Sequence, residues 1–289
     1  MDVFMGLMAA VLWGATDFLV GVNARAVGVR RAVFLGQLLG LIIMSLILIL
    51  FYGQLLKLLH AALSTLLLGI AASLFTVIGA LALSMAFSVG KTAVVAPLVT
   101  TYGVFTTILA WCGGDSISQA QFAGILICIV GVILASRTGG AATTDTKTQN
   151  KLAIGYALSS AVLYGASFWL QGKYTLPTIG PMNMLWLGYV VGVVCLAPMV
   201  IKSISDISIP PVKTIGTICG ASLFNLGAFS AFSWGVLSGS LSVVTVISTL
   251  SGGIAAILGY VFYRERLTCV QVSGVLLVLI GAVMLHLYS

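Results

Sequence analysis

Charge is scarce in this chain. Only 7% of its 289 residues are Asp, Glu, Lys or Arg, while 60% are hydrophobic. A soluble domain carries about 25% charged residues, so this composition excludes a water-facing surface and implies an integral membrane protein. Acid is scarcest of all: the carboxylates are Asp2, Asp17, Asp115, Asp145, Asp206 and Glu265. The two histidines, His60 and His286, are far apart, and no His-Glu-x-x-His motif occurs. With one carboxylate deep in an apolar run there is no basis for a metal centre. No Gly-x-x-x-x-Gly-Lys loop is present, so nothing suggests nucleotide hydrolysis. No cofactor is expected.

Cys112, Cys128, Cys195, Cys219 and Cys269 are scattered and form no Cys-x-x-Cys pair. They read as small apolar packing residues. The N-terminus lacks a basic region and an Ala-x-Ala site, so the first apolar segment reads as a retained helix. The net charge of +7 sits between apolar runs. It speaks for orientation in a bilayer and against a nucleic-acid partner.

Long apolar runs are what the sequence does have. A spanning helix needs ~20 mostly apolar residues. Ten spans are predicted, over 3–22, 33–51, 63–86, 92–112, 119–136, 152–171, 182–201, 213–234, 240–262 and 268–287. The fold class expected is all-α, a polytopic membrane protein. Its 33 glycines suit closely packed membrane helices.

The chain repeats. "AVLWGATDFLVG" (Ala10–Gly21) matches "AVLYGASFWLQG" (Ala161–Gly172), with seven of twelve positions identical. "DSISQAQFAGILICIVGVIL" (Asp115–Leu134) matches "ERLTCVQVSGVLLVLIGAVM" (Glu265–Met284), pairing Gln121 with Gln271, Gly124 with Gly274 and Gly131 with Gly281. The division expected is a first five-helix repeat at 1–137, a polar linker at 138–151 and a second repeat at 152–289. Five spans per repeat is odd, so the second repeat enters from the opposite side and is inverted, as in many transporters.

Eleven of thirteen basic residues, among them Arg25, Lys91, Arg264 and Arg266, fall in the turns after spans 1, 3, 5, 7 and 9; only Lys57 and Lys173 lie opposite. That bias makes the odd turns cytoplasmic and puts both termini outside the cytoplasm.

The ten-span double repeat, the "LWGATDF" and "LYGASFW" stretches and the late "ERLTCVQVSGVLLVLIGAV" together resemble the EamA branch of the drug/metabolite transporter superfamily. The first-half counterpart of the late motif departs from the family pattern, with Asp115 for Glu, and Tyr164 stands where Trp is usual. The resemblance implies a carrier of small solutes such as amino acids, sugars, nucleotide sugars or quaternary ammonium compounds. Many members have both termini drawn in the cytoplasm, against the charge bias read here.

Asp17 alone among the acids lies well within a span, where an Asp costs roughly 2.5–3.5 kcal/mol on insertion scales. Two readings stand. It faces a cavity between the repeats, where it binds a proton or a cationic part of the substrate. Or it is structural, hydrogen-bonded to a neighbouring helix or paired with Arg25. Further candidates are Trp13, one turn before Asp17; Thr76 in span 3; Pro97 and Tyr102 in span 4; Tyr164 and Phe168 in span 6; Asn225 in span 8; and Ser248 in span 9. Paired irregularities around Pro97 and Ser248 point to a midplane site. The aromatics supply ring faces for an organic cation. Each also has a plain role in packing or interhelical hydrogen bonding. Glu265, flanked by Arg264 and Arg266, reads as part of a capped helix end.

The function expected is secondary-active transport of a small metabolite across the cytoplasmic (inner) membrane of a bacterium. It works by alternating access, with proton coupling at Asp17, and export is favoured. The alternatives are an uptake carrier for an organic cation or sugar, and an intramembrane enzyme. The partners expected are a small-molecule solute, protons and the lipid bilayer, with the protein a monomer or homodimer.

Overall fold

The structure, a computed structural model, describes residues 2–114, 116–135, 137, 144–201, 211–238, 244 and 247–287. Every regular element among them is helical: α1 (Asp2–Val27), α2 (Val29–Leu50), α3 (Tyr52–Leu59), α4 (Leu63–Val89), α5 (Thr92–Val99), α6 (Tyr102–Cys112), α7 (Gln119–Ala135), α8 (Thr144–Leu170), a π-helical turn (Gln171–Thr175), α9 (Leu176–Ile201), α10 (Val212–Ser238), α11 (Ser251–Tyr263) and α12 (Cys269–Leu287). Helices are the expected outcome for apolar runs in lipid, because each backbone donor and acceptor is then satisfied within its own segment. Six helical stretches are long and apolar enough to cross a membrane. One of them, Thr148–Ile201, is 54 residues long and holds two spans; three shorter apolar helices complete the set.

The spans differ from expectation in instructive ways. Span 1 runs on to Val27, so Arg25 is in the last turn of α1 and not in a loop. Gly28, at φ 82°, alone separates α1 from α2, a conformation that glycine adopts without steric cost. Span 6 begins at Thr144, so the second part of the expected linker is helical. It is joined to span 7 by the π-helical turn and a break at Gly180, φ 78°, and no loop intervenes. Of the expected span 9, residues 240–243, 245 and 246 lie outside the described residues, as does Asp115.

Span 4 is two helices. α5 ends at Val99 and α6 starts at Tyr102. Pro97 lacks an N–H and weakens the ladder. The hydroxyls of Thr100 and Thr101 then donate to the carbonyls of Pro97 (2.6 Å) and Leu98 (2.7 Å), so the break leaves these two acceptors satisfied. In the second repeat the residues just before Ser251 form a turn, and α11 starts there. Both repeats therefore interrupt the same span.

Each half packs on the other. α1 lies on α10 and α4 on α8; α2 on α9; α5 on α11; and α7 on α12. The last pair shows the symmetry most clearly. A Cβ at Gly124 would sit 3.0 Å from the carbonyl oxygen of Gly281, and one at Gly131 would sit 2.8 Å from that of Gly274. Gly124 and Gly274 are repeat mates, as are Gly131 and Gly281, so the contact is self-complementary, like an isologous interface. The small residues let the two backbones touch. The conserved-register glutamines are explained too. Gln121 and Ser118 form a reciprocal capping box at the start of α7, and Gln271 and Thr268 form its copy before α12.

Candidate functional site

The two matching stretches, on α1 and α8, bring the candidates together. Gly14 sets α1 against the start of α11: a Cβ there would sit 2.7 Å from Ile254 Cβ and 2.9 Å from the Ser251 carbonyl oxygen. Gly165 does the same for α8 at the start of α6, against Phe105 Cβ (2.6 Å) and the Tyr102 carbonyl oxygen (2.8 Å). The glycine of each "WG" or "YG" pair thus docks its helix on the broken span of the opposite repeat. Two residues on, the hydroxyl of Thr16 donates to the Ala221 carbonyl (3.5 Å), and that of Ser167 to the Ala72 carbonyl (2.7 Å). One bond is the repeat image of the other.

The next position is where the halves differ, with Asp17 on α1 and Phe168 on α8. The two face a shared aromatic surface. Phe168 stacks at a tilt on Tyr102, with centroids 5.0 Å apart, and approaches Tyr164 at 6.2 Å. Asp17 lies near both tyrosines. Among the described residues Asp17 has no hydrogen-bond or ion-pair partner. The expected alternative, a pair with Arg25, is not formed. The Arg25 guanidinium points away, donating to the carbonyls of Phe87 (3.0 Å) and Gly90 (2.9 Å). Asp17, Tyr102 and Tyr164 are half-buried, and Phe168 is exposed. α5 beside them is buried at every residue.

Two polar chains flank this group. Trp13 Nε1 donates to Asn225 Oδ1 (3.2 Å), and Asn225 Nδ2 donates to the Tyr189 hydroxyl (3.3 Å); the Trp13 ring also leans on Phe232. In the second chain, Thr76 Oγ1 lies 2.7 Å from Ser167 Oγ, which accepts from Gln171 Nε2 (2.8 Å). Of the nine candidates, Asp17, Tyr102, Tyr164 and Phe168 form one cluster, and Trp13, Asn225 and Thr76 lie in the flanking chains. Pro97 and Ser248 are buried, in or next to the broken spans and without an accessible face.

Three residues in these chains escaped the sequence reading. Tyr189 reads from sequence as a packing or interfacial-belt residue; it is buried and partners Asn225. Ser167 carried a signal, since it stands opposite Thr16 in the repeat. Gln171 occupies a position that is Val20 in the first repeat, a polar-for-apolar exchange like the one at Asp17.

A sequence-family model described as the EamA-like transporter family matches residues 1–137 and 151–287. A search of curated proteins finds none that matches this chain. Among solved structures, one described only as "Crystal structure of protein" superimposes with a TM-score of 0.64 at 14% identity, covering 98% of this chain and 96% of the other; that likeness speaks to the fold alone. The family match extends over both repeats and nearly the whole chain, and on that ground the protein belongs to the EamA-like transporter family of membrane transporters.

Proposed function

We propose that this transporter moves a small solute by alternating access around the cluster of Asp17, Tyr102, Tyr164 and Phe168, with a proton carried on Asp17. The observation that supports the reading is the broken symmetry of the repeat. A frame of glycines and hydroxyls is kept in both halves, and within it one half presents an unpartnered carboxylate while the other presents a phenyl ring. A carboxylate in lipid without a partner is costly, and the cost is compatible with a role that requires its proton or its charge to be exchanged. The flanking chains through Asn225 and Ser167 hold α10 and α4 in register around it. Export is the favoured direction, out of a bacterial cytoplasm across the inner membrane, with both termini on the outer side.

The ring faces beside the carboxylate favour one substrate class in particular, an organic cation held by ion pairing and cation–π attraction. The test is Asp17→Asn in purified protein reconstituted in liposomes, assayed with a panel of labelled metabolites and organic cations between pH 6 and 8. Wild-type exchange should depend on pH, and Asp17→Asn should lose that dependence. A folded Asp17→Asn protein with an unchanged pH profile would remove Asp17 from coupling.

A further inference from the structure

At the end of the molecule that carries the odd-numbered turns, a set of contacts joins the two repeats away from the Asp17 cluster. Glu265 is at their centre. α11 ends at Tyr263, and the next residue, Arg264, has a left-handed backbone at φ 52°, ψ 37°, an uncommon conformation for a residue with a Cβ. The turn sends Glu265 back beneath α5. There its Oε1 accepts from the backbone N–H of Thr92 (2.9 Å) and its Oε2 from that of Ala93 (2.8 Å). These are otherwise unpaired donors at the positive end of a helix. Gly259 keeps the space: a Cβ there would sit 2.9 Å from Glu265 Oε2.

Two basic residues complete the set. Arg25 comes within 4.0 Å of Glu265 and lies 4.5 Å above the Tyr263 ring, while it also holds the last carbonyls of α4. Lys91 Nζ donates to the Arg266 carbonyl (2.6 Å). Arg25, Lys91 and α5 belong to the first repeat; Tyr263, Glu265 and Arg266 belong to the second. α5 and α11 then meet through Gly252, where a Cβ would sit 2.7 Å from Thr100 Cγ2. Every residue of α5 is buried, whereas in α6, beyond the break, only Gly103 and Val104 are.

We propose that Glu265, with Arg25 and Lys91, is the gate that shuts the cluster of Asp17, Tyr102, Tyr164 and Phe168 off from the odd-turn face, by clamping the half-helix α5 of one repeat to the end of α11 in the other. The proposal rests on the alternating-access reading above. Opening that face requires the two repeats to separate there, and these bonds are among the contacts that join them, with the Thr217 hydroxyl donating to Asn23 Oδ1 (2.6 Å) as another. Discrete bonds between rigid bodies suit a two-state switch better than a continuous deformation.

The test reads accessibility and needs no substrate. Phe168→Cys places a thiol at the cluster, and a membrane-impermeant maleimide is applied to either face of oriented membrane vesicles, with labelling at residue 168 read by mass spectrometry. With Glu265 intact, labelling should come from the face opposite the odd turns. Adding Glu265→Gln or Glu265→Ala should raise labelling from the odd-turn face by about tenfold or more, a shift of about 1.4 kcal/mol in the equilibrium. Glu265→Gln keeps the side-chain shape and one acceptor oxygen, so it serves if Glu265→Ala does not fold. Independently, joining Lys91→Cys to Arg266→Cys in the Glu265→Gln protein with a reducible bifunctional thiol reagent should abolish odd-face labelling and transport, and reduction should restore both. One-sided labelling that neither Glu265 variant nor the cross-link alters would overturn the gate while leaving the proposed solute site standing. Labelling from neither face in any of the proteins would overturn the proposed solute site at the cluster, and the gate with it.

Discussion

Asp17 and Phe168 occupy equivalent places in two nearly identical helical surroundings, and their difference carries the functional argument. Sequence alone identified both residues, because the repeat supplies its own comparison. It left open whether Asp17 is paired. That question belongs to the third dimension: Arg25, two turns on, is within reach along α1 but finds better acceptors at the end of α4. Ser167 illustrates a structural residue at the same site. Its hydroxyl joins Thr76, Gln171 and the Ala72 carbonyl, so Ser167→Ala leaves buried partners short of a bond. A loss of about 1–3 kcal/mol is expected, seen as a lower unfolding midpoint of the purified protein, with the pH profile of transport retained.

At the scale of elements, the spans were readable because lipid demands long apolar runs. Their interruptions were readable only in part. Pro97 announces a weak point, yet the break comes at Thr100 and Thr101, where hydroxyls replace the missing backbone partners. The short helix α3 and the nearly continuous passage from α8 into α9 leave no clear mark in an apolar composition. The glycines of α7 and α12 were visible as repeat mates, but their mutual contact was not. Gly131→Leu or Gly274→Leu should drive side chain into backbone and cost about 1–3 kcal/mol or more, read as a loss of monodisperse protein in detergent. Gln121→Ala or Gln271→Ala should be milder, about 1 kcal/mol for a lost cap, a shift of a few degrees in thermal unfolding.

For the whole molecule, duplication and inversion set the design. Helices pair across the halves, so that α1 meets α10 as α4 meets α8, and two interrupted spans meet near the centre. A pseudo-symmetric body of this kind has a natural pair of states, each the approximate inverse of the other. The charge distribution predicts its orientation: a reporter active only in the cytoplasm, fused after Ser289, should be silent, and activity there would reverse the topology.

Solute exchange through reconstituted protein bears most directly on the central claim. With purified protein in liposomes and the panel of labelled metabolites and organic cations, at least one solute should undergo protein-dependent counterflow that Asp17→Asn abolishes or strips of its pH dependence. Chemical conversion of a solute without movement across the bilayer, or counterflow untouched by Asp17→Asn in rate and pH profile, would contradict the account.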